Sequence, residues 1–527
     1  MLHQLIRDSA QVTPDAPALL FKQDTLSYRA LQASVDCLAS GLRALGVQRD
    51  ERVGVYLPKQ FETVTAMFGS MAAGGVFVPI NPILKPEQVG HILRDCATRI
   101  LVTSPDRARV LRDTLAECPD LTQVVVTGND EPDWANEHHV PVCNWEQMLS
   151  QAGAPELRRI DSDMAAILYT SGSTGRPKGV VLSHRNMLAG AESVASYLHN
   201  CADDRLLAVL PFSFDYGLSQ LTTAFLQGAS VVLMDYLLPR DVIRAVARYR
   251  VTGLAAVPPL WNQLADLPWP EEAVGCLRYI TNSGGAMPVT TTEQLQAALP
   301  NTDIYLMYGL TEAFRSTYLA PELACTRPES MGKAIPNADI MVVRPDGSEC
   351  GADETGELVH RGALVALGYW GDKEKTDIRF RQAPGQPDGL PNPEIAVWSG
   401  DQVRRDADGY LYFIGRNDEM IKTSGYRVSP GEVEEVVFNM PGVQQAVAFG
   451  ARHPQLGSGI VLVVQTASDS PGIDAVLAHC RLHLPMFMLP GHVEIVSDLP
   501  RNPNGKIDRK SLSQQFAQVF TGPEETA

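Results

Sequence analysis

The stretch ILYTSGSTGRPKGVVLSH at residues 167–184 joins two apolar segments through a loop rich in glycine and hydroxyl groups. The aliphatic residues on both sides of the loop predict two strands. Glycines let backbone N–H groups turn toward an anion, and Lys178 adds a positive charge. A flexible linker is seldom flanked so closely by apolar strands. The stretch therefore predicts a phosphate-binding loop.

The order of residues in this loop differs from that of the common P-loop of nucleotide-binding proteins. In the P-loop the lysine precedes a serine or threonine at the start of a helix, whereas here Gly179 and an apolar strand follow Lys178. The hydroxyl groups, glycines and lysine are the predicted phosphate-binding residues: Thr170, Ser171, Gly172, Ser173, Thr174, Gly175 and Lys178.

The length of the chain and its repeated strand and helix patterns predict the fold class. A single core stops growing at roughly 250 to 300 residues, so 527 residues are expected to form more than one domain. RVGVYL at residues 52–57 is followed by the helix-like FETVTAMFGSMAAGG at residues 61–75 and by VFVPI at residues 76–80. Such alternation predicts an α/β fold whose large N-terminal region contains two helix-covered, mostly parallel sheets.

The pattern changes after this region to short extended segments and turns. ADIMVVRPDGSE at residues 338–349 contains a Pro-Asp-Gly turn, and GELVHRG follows at residues 356–362, which predicts an antiparallel β subdomain. A new pattern of helix and strand begins after GRNDE at residues 415–419. We therefore predict an N-terminal domain at residues 1–417 and a small, mobile α+β domain at residues 418–527.

Composition and charge exclude several classes of protein. The formal net charge of -17 argues against a nucleic-acid partner, because a phosphate backbone is bound by clustered Lys and Arg. The nine cysteines form no Cys-x-x-Cys pair, which is typical of reduced thiols in the cytoplasm. The N-terminus lacks the pattern of a signal peptide, and no apolar segment approaches the ~20 residues of a membrane span. We expect a cytoplasmic protein without a membrane span.

The loop at residues 169–179 resembles the signature loop of the adenylate-forming superfamily of AMP-dependent synthetases and ligases, which includes acyl-CoA synthetases, luciferases and the adenylation domains of peptide synthetases. Further motifs extend the resemblance over almost the whole chain. The resemblance implies an enzyme that uses ATP and Mg²⁺ to convert a carboxylic acid to an acyl adenylate with release of pyrophosphate. The acyl group then passes to a thiol, either of CoA or of the phosphopantetheine arm of an acyl or peptidyl carrier protein.

Two of these motifs follow apolar strands. NSGGAMP at residues 282–288 resembles the adenine-binding segment, although its residues alone indicate only a turn. YLMYGLTEA at residues 305–313 resembles the segment in which Tyr308 packs near adenine, Thr311 contacts the α-phosphate and Glu312 binds Mg²⁺. Without the resemblance, Glu312 is equally consistent with a solvated acid. The nucleotide-site and metal-site residues implied here are Gly284, Gly285, Ala286, Tyr308, Gly309, Thr311 and Glu312, with Thr170 as a second metal-site residue.

The stretch at residues 398–435, WSGDQVRRDADGYLYFIGRNDEMIKTSGYRVSPGEVEE, matches the family at many positions in order. The resemblance implies that Asp401 binds the ribose hydroxyls, since a carboxylate accepts from both. Other implied nucleotide-binding residues are Phe413 and Arg416, and Asp418 is the implied hinge of the small domain. The loop that reaches the thiol acceptor contains Lys422, Ser424, Gly425, Tyr426 and Arg427.

DLPRNPNGKIDRK at residues 498–510 places Lys506 in a loop near the C-terminus. A lone lysine in a loop is usually solvated. In the family, the matching lysine reaches from the small domain to the carboxylate and the α-phosphate during adenylation. The resemblance therefore implies that Lys506 is catalytic together with Thr311 and Glu312.

The identity of the acid depends on a different segment. PFSFDYGLSQLTTAFLQGAS at residues 211–230 has Asp215 where amino-acid-activating domains carry the aspartate that pairs with the substrate ammonium group. From the residues alone, Asp215 is equally consistent with a helix N-cap. The same alignment implies a pocket in which Arg315 either pairs with a second carboxylate or points away. The implied pocket residues are Asp215, Tyr216, Ser219, Ala256, Thr281, Ser283, Met307, Arg315 and Ser316.

Several alternatives remain open from the sequence. YGLTE and IKTSGYRVSPGEVE are more similar to stand-alone acyl-CoA ligases than to peptide-synthetase modules, and the chain also resembles the AMP-forming ligases associated with exosortase A systems. An amino-acid-activating enzyme that loads only a carrier protein is the nearest alternative. A luciferase-like oxygenase would share every ATP motif, and a non-catalytic nucleotide-binding protein would lack Glu312 or Lys506, both of which are present. We expect a monomer or a homodimer.

Overall fold

The computed structural model describes residues 1–128, 140–150, 157–170, 177–387, 389–416, 420–466, 471–500 and 507–521. The α-helices in these residues, numbered in chain order, are α1 Gln4–Val12, α2 Tyr28–Ala44, α3 Phe61–Ala72, α4 Pro86–Asp95, α5 Pro105–Val110, α6 Arg112–Ala116, α7 Trp145–Leu149, α8 His184–Tyr197, α9 Asp215–Gln227, α10 Pro239–Tyr249, α11 Pro258–Ala265, α12 Glu271–Val274, α13 Val289–Ala298, α14 Lys373–Arg379, α15 Pro430–Phe438, α16 Ile473–His483 and α17 Arg509–Gln515. Short 3₁₀ turns lie at Thr311–Ala313, Pro321–Leu323 and Met486–Met488.

The strands in the same residues are β1 Pro17–Phe21, β2 Asp24–Ser27, β3 Arg52–Tyr56, β4 Val76–Pro79, β5 Thr98–Thr103, β6 Gln123–Val126, β7 Val142–Asn144, β8 Met164–Thr170, β9 Lys178–Ser183, β10 Arg205–Ala208, β11 Ser230–Leu233, β12 Gly253–Ala256, β13 Tyr279–Asn282, β14 Asp303–Tyr308, β15 Thr317–Leu319, β16 Ser330–Ala334, β17 Ala338–Val343, β18 Thr355–Gly362, β19 Gly368–Tyr369, β20 Phe380–Gln382, β21 Ile395–Arg405, β22 Leu411–Arg416, β23 Ile421–Thr423, β24 Tyr426–Val428, β25 Val443–His453, β26 Gly457–Thr466 and β27 His492–Val496.

Three sheets contain these strands. The first sheet has the order β17-β18-β21-β22-β16-β15-β14-β13-β12-β10-β11-β1-β2, and β20 pairs with β21. In this order, the strands from β14 through β13, β12, β10 and β11 to β1 are parallel to one another. The strands β15, β16, β17, β18, β21 and β22 form antiparallel pairs. The predicted antiparallel β subdomain is therefore continuous with the first sheet through the pairing of β15 with β16.

The second sheet has the order β19-β9-β8-β4-β3-β5-β6-β7 and contains the segment quoted first. Strands β8 and β9 are antiparallel, and Thr170 lies opposite Lys178. The strand predicted to follow Lys178 is thus confirmed as β9. Ser183 ends β9 and caps α8, since its hydroxyl accepts a hydrogen bond from the N–H of Asn186 at 3.1 Å.

The third sheet, with order β24-β23-β26-β25 and β27 beside β26, lies in the C-terminal part of the chain together with α15, α16 and α17. Its apolar core is separate from that of the first two sheets, and it contains Val433 of α15, Leu462 of β26 and Val476 of α16. A small α+β domain was predicted in this part of the chain. Together with the two helix-covered sheets, it confirms the predicted fold class. The boundary near residue 417 lies beside residues outside the described ranges and stays a prediction.

The largest apolar core joins the first and second sheets through the helices between them. The rings of Phe68 on α3 and Phe225 on α9 pack edge to face, with centroids 5.3 Å apart. No helix in the described part of the chain is long and apolar enough to cross a membrane.

Parallel strands β12, β13 and β14 place three loops at one edge of the first sheet. Ala256 lies opposite Asn282, and Asn282 lies opposite Leu306, so the three strands end almost level. Ligands of open α/β sheets bind beyond the carboxyl ends of the strands. The loops that follow these strands are therefore the expected location of the site.

Candidate active site

A cleft lies at this edge of the first sheet, and segments from all three sheets line it. The small-domain loop at residues 422–427 faces the ends of β13 and β14 across the cleft. Many residues predicted from separate motifs are brought together in its lining: Thr170, Asp215, Tyr216, Ser283, Gly284, Tyr308, Gly309, Thr311, Arg315, Asp401, Lys422, Gly425, Tyr426 and Arg427.

Glu312 lies in the turn after β14 and is only 2% exposed, so the interpretation of a solvated acid is wrong. Its Oε1 accepts a hydrogen bond from the hydroxyl of Tyr369 at 2.6 Å. The ammonium group of Lys178 donates to the same hydroxyl at 2.7 Å and lies 3.6 Å from the Glu312 carboxylate. A lysine, a tyrosine and a carboxylate from two sheets thus form one buried polar cluster.

Positive charges keep the Glu312 carboxylate ionised. Burial alone would raise the pKa of Glu312, but the charges of Lys178, Arg427 and Arg379 outweigh it and lower the pKa from 4.5 to about 2. Because the pKa is depressed, the ionised cluster stabilises the fold above about pH 4.5, and this contribution is lost as the pH falls toward 2.

The residues that the resemblance implies for Mg²⁺ suit a hard cation. Glu312 Oε2 and Thr170 Oγ1 are both buried and accept or donate no hydrogen bond within the described residues. A carboxylate and a hydroxyl oxygen are ligands that Mg²⁺ accepts beside substrate phosphates. Glu312 and Thr170 thus fit the implied ion, and their roles as its ligands stay predictions.

Asp401 on β21 and Tyr308 at the end of β14 line the part of the cleft that is predicted to bind the nucleotide, called the nucleotide side below. The hydroxyl of Tyr308 donates to Asp401 Oδ2, and Asp401 is 2% exposed. Arg416 of β22 lies opposite Asp401 in the strand register. Asn282 orders the glycine turn after β13, because its Nδ2 donates to the carbonyl of Gly285 at 2.9 Å.

Asp215 begins α9 and is buried in the part of the cleft that is predicted to bind the acid, called the acid side below. Phe214 is the N-cap of α9, and the Asp215 carboxylate instead accepts from the hydroxyl of Thr311 at 3.0 Å. The N-cap interpretation is therefore wrong. Burial raises the pKa of Asp215, against which the charge of Arg315 and the Thr311 hydrogen bond act.

The remaining predicted pocket residues surround this part of the cleft without lining it. Thr281 pairs with the hydroxyl of Tyr216 at 2.5 Å. Met307 accepts from Tyr197 at 3.1 Å, and Ser316 pairs with Nδ1 of His360 at 2.9 Å. Among the predicted residues whose side chains the structure describes, those outside the lining are Lys178, Ser219, Ala256, Thr281, Gly285, Ala286, Met307, Glu312, Ser316, Phe413 and Ser424.

The small-domain loop approaches the large domain through glycine. Gly425 has a φ of +81°, and a Cβ built on it would lie 2.9 Å from Val257 Cγ1. A Cβ built on Gly284 would lie 3.8 Å from the carbonyl oxygen of Gly425. Tyr426 accepts a hydrogen bond from Asn81 at 3.4 Å and stacks on Phe487, with ring centroids 4.0 Å apart. Residues 422–427 therefore form one wall of the cleft.

Other residues of the site were not predicted from the sequence. Tyr369 of β19 and Glu432 of α15 are each distant in sequence from the groups that they face. Glu432 is 8% exposed, lines the cleft near Gln88 of α4, and has an Oε2 without a hydrogen-bond partner in the described ranges. In the sequence, Tyr369 lies in the segment LGYW at residues 367–370 and Glu432 in the segment GEVEE at residues 431–435. Neither segment indicates which residues Tyr369 or Glu432 contacts in the folded protein.

Three groups of predicted residues lie outside the described residues: Ser171, Gly172, Ser173, Thr174 and Gly175 of the loop, the hinge Asp418, and Lys506. Their predicted roles are therefore not addressed by the structure.

A family model described as AMP-binding enzyme matches residues 6–370, and one described as AMP-binding enzyme C-terminal domain matches residues 432–506. The chain belongs to the AMP-binding enzyme family. The first match lies in the large region and the second in the small α+β region, and both regions line the cleft. The resemblance inferred from the motifs is thereby confirmed.

Relatives of this AMP-binding enzyme include a protein of the same size. The chain is 32% identical over 542 residues to an L-proline--[L-prolyl-carrier protein] ligase of Streptomyces coelicolor, covering 99% of this chain and 98% of that protein. It is 28% identical over 529 residues to tyrocidine synthase 3 of Brevibacillus parabrevis, covering 100% of this chain. The chain spans only 8% of the length of that synthase.

Solved structures share the fold of this AMP-binding enzyme. The o-succinylbenzoate CoA synthetase of Bacillus subtilis aligns with a TM-score of 0.82 at 24% identity, covering 97% of this chain and 98% of that one. The amide bond synthetase McbA of Marinactinospora thermotolerans aligns with a TM-score of 0.84 at 22% identity, covering 98% and 99%. At these identities the alignments show a common fold and leave the substrate open.

Replacing Tyr369 with phenylalanine tests the buried cluster. The substitution removes the hydroxyl that links Lys178 to Glu312. Groups that orient a metal ligand typically change metal affinity by about 10-fold or more when removed. We expect Tyr369→Phe to weaken Mg²⁺-dependent ATP binding by about 10-fold, measured by calorimetric titration at a series of Mg²⁺ concentrations.

Tyr412→Phe is the matched control for this experiment. The hydroxyl of Tyr412 also lies between a cation and a carboxylate, those of Arg327 and Asp406, but none of these three residues is among those predicted to bind ATP or Mg²⁺. ATP binding by Tyr412→Phe should equal that of the wild type. Equal Mg²⁺ dependence in Tyr369→Phe and the wild type would show that the cluster does not hold the metal ligand.

Glu432 is expected to make the docking of the small domain on α4 sensitive to pH. Burial raises the pKa of Glu432 from 4.5 to about 8, and the nearby Gln88 only partly opposes this. An exposed Glu432 is ionised above about pH 4.5, so docking takes up a proton between pH 4.5 and 8. The docked arrangement is therefore expected to weaken as the pH rises from about 4.5 to about 8.

Hydrogen–deuterium exchange of α4 and α15 at pH 6 and pH 9, corrected for intrinsic rates, measures this docking. The wild type should lose protection at the higher pH, whereas Glu432→Gln should be protected equally at both. Asp474→Asn, exposed on α16 of the same domain and not among the groups that influence Glu432, should keep the wild-type dependence. The same loss of protection in Glu432→Gln as in the wild type would assign the pH effect to another group.

Proposed function

We propose that the protein activates a carboxylic acid with ATP to form an acyl adenylate and then transfers the acyl group to a thiol. One observation carries this proposal: the acid-side residues Asp215 and Thr311, the nucleotide-side residues Tyr308 and Asp401, and the small-domain residue Gly425 line one continuous cleft. A binding protein for nucleotide alone would have no use for the acid side or for the small-domain wall.

In the first half-reaction, a carboxylate oxygen of the substrate attacks the α-phosphorus of ATP, and the bond to the β-phosphate breaks to release pyrophosphate. Two anions about 4 Å apart repel each other by roughly 4 kcal/mol at an effective dielectric constant of 20. Lys178 and Lys506 are proposed to offset this repulsion, and Thr311 to orient the α-phosphate. Mg²⁺ bound by Glu312 and Thr170 would supply further charge neutralisation.

In the second half-reaction, the sulfur of a thiol attacks the acyl carbon, and AMP leaves with the bonding electron pair. The thiol proton passes to solvent. The cleft wall at Gly425 consists of backbone rather than side chain, since Gly425 and Gly284 approach each other closely. The relative of the same size is a ligase of a carrier protein, and a solved structure of the same fold is a CoA synthetase, so we assign the thiol to CoA or to a phosphopantetheinylated carrier protein.

The acid is proposed to carry an amino group. Asp215 is buried beside Thr311, which places its carboxylate next to the group predicted to contact the α-phosphate. A buried carboxylate in a substrate pocket favours a cationic ligand. The relative of full length is a proline ligase of a carrier protein, which agrees with an amino-bearing substrate. A stand-alone enzyme that loads only a carrier protein is the second candidate.

Pyrophosphate exchange with a panel of acids tests the proposal. The purified chain is incubated with ATP, Mg²⁺, labelled pyrophosphate and amino acids, aryl acids or fatty acids in turn. We expect exchange that depends on the acid and is strongest with an amino acid. Exchange restricted to acids without an amino group would remove the role given to Asp215. An oxidised product that requires dioxygen would identify the luciferase-like alternative instead.

Gly425→Leu separates the two half-reactions. A leucine at this position clashes with Val257 when the loop is docked, because even a Cβ would lie 2.9 Å from Val257 Cγ1. A displacement of about 1 Å at a reacting group costs roughly 100-fold in rate. We therefore expect thiolysis of a supplied acyl adenylate to fall about 100-fold relative to pyrophosphate exchange.

Gly472→Leu provides the control in the same domain, because a Cβ at Gly472 meets no atom of the described residues within 4 Å. Its ratio of thiolysis to exchange should equal that of the wild type. Thiolysis is measured with CoA and, separately, with a phosphopantetheinylated carrier protein, which distinguishes the two acceptors. An equal loss of rate in both half-reactions of Gly425→Leu would contradict the proposal that this loop serves the thiol step.

A further inference from the structure

Arg315 is among the largest fully buried side chains of the protein, with 1% exposure, and it also borders the acid side of the cleft. Burying a guanidinium group without compensation is costly, because the charge loses its hydration. If Arg315 only stabilised the fold, its charge would therefore need a buried partner.

The backbone before Arg315 directs the side chain inward. Phe314 has a φ of +58° and a ψ of −53°, and the N–H of Arg315 donates to the carbonyl of Ala313 at 2.6 Å. Such a three-residue turn is rare for a non-glycine residue. It persists because Phe314 is fully buried against α8, where a Cβ on Gly190 would lie 2.6 Å from its ring.

The partners of the guanidinium group do not neutralise it. Nη1 donates to the hydroxyl of Ser283 at 3.0 Å, and the group lies over the ring of Tyr216, with 4.6 Å from Cζ to the ring centroid. Nε is buried and has no hydrogen-bond partner within the ranges that the structure describes. Guanidinium offers five N–H donors, so one neutral hydroxyl leaves most of its capacity unused.

Asp215 is the anion that shares this part of the cleft, but it does not form an ion pair with Arg315. Its Oδ1 accepts from Thr311, and Arg315 influences it only through the longer-range charge interaction. This part of the cleft thus presents one negative and one positive group that do not pair with each other. A substrate with two opposite charges at a matching separation would satisfy both.

We propose that Arg315 is a specificity-determining residue that binds a second carboxylate of the substrate, so that the activated acid is an amino dicarboxylic acid. The inference rests on the proposed function, in which Asp215 binds the amino group. The planar guanidinium group can bind a carboxylate through two parallel hydrogen bonds, which a neutral amide or alkyl group does not reproduce. Tyr216, whose hydroxyl pairs with Thr281, lines the cleft beside Arg315.

The test compares matched acids in the pyrophosphate exchange assay. The panel contains aspartate, glutamate and 2-aminoadipate, the amides asparagine and glutamine, the apolar acids alanine and norvaline, and succinate and glutarate without an amino group. The wild type should favour one amino dicarboxylate over its amide by about 100-fold in kcat/KM, because a site built to pair a charge rejects the analogue that lacks it.

Three variants assign this preference to Arg315. Arg315→Gln should lower the ratio of kcat/KM for the dicarboxylate over its amide by about 100-fold, and Arg315→Lys by about 10-fold, because lysine keeps the charge but lacks the planar pair of donors. Asp215→Asn should instead reduce the preference for the amino dicarboxylate over the diacid without an amino group. Thermal unfolding and ATP binding of each variant show whether it is folded, and if Arg315→Gln is not, Arg315→Lys decides the test.

The outcomes separate this inference from the proposed function. Exchange with apolar amino acids or other monoacids, but not with amino dicarboxylates, would overturn the role of Arg315 and leave the proposed function intact. An equal loss for all acids in folded Arg315→Gln would show a structural role and also overturn the inference. Absence of exchange with every acid of the wider screen would overturn the proposed function and this inference with it.

Discussion

The buried carboxylate of Glu312 is the constraint on which the arrangement of the three sheets depends. Glu312 follows β14 of the first sheet, its partners Tyr369 and Lys178 belong to the second, and the charge of Arg427 comes from the third. A buried carboxylate is tolerated only when nearby charges and hydrogen bonds replace its hydration. Separating these groups would remove part of the charge and hydrogen-bond compensation of the buried carboxylate, so the cluster stabilises the arrangement of the sheets described above.

The nucleotide side and the acid side of the cleft use burial in different ways. On the nucleotide side, positive charges surround Glu312 and hold it ionised, which suits contact with a cation and phosphates. On the acid side, Asp215 and Arg315 are buried near each other without pairing. Two separated buried charges are less favourable for the empty protein than a direct ion pair would be. They leave interaction energy for a ligand, which is how a pocket gains specificity at the expense of stability.

The small domain contributes both a wall and a proton-dependent contact to the same cleft. Gly425 permits close approach of its backbone to Val257, whereas Glu432 is buried against α4 with a raised pKa. One contact depends on the absence of a side chain and the other on the absence of a charge. Both are specific to the docked arrangement, and neither contributes when the small domain is turned away. This dependence suits a domain that is expected to occupy more than one position during two half-reactions.

Much of the fold and of the nucleotide side was predictable from the sequence because the relevant signals are local. Alternating strand and helix patterns predicted the two helix-covered sheets, and β3, β4 and β9 lie where the apolar segments indicated. Residues of the motifs around Tyr308 and Asp401 meet in the cleft as the family resemblance implied. The antiparallel subdomain was also predictable, but its continuity with the first sheet was not, since strand pairing between distant segments is not visible in a local pattern.

The sequence by itself determined the fold class, the order of the motifs and the chemical groups available to the site, because these depend on local pattern and on residue type. The tertiary structure decided which of these groups are buried and what they face. Asp215 is consistent with a helix cap in sequence, yet Thr311, 96 residues further along, is its partner in space. Tyr369 and Glu432 belong to the site only because separate sheets and helices pack together. The energy of a buried charge depends on the groups around it in the folded protein, and the order of residues along the chain does not show which groups these are.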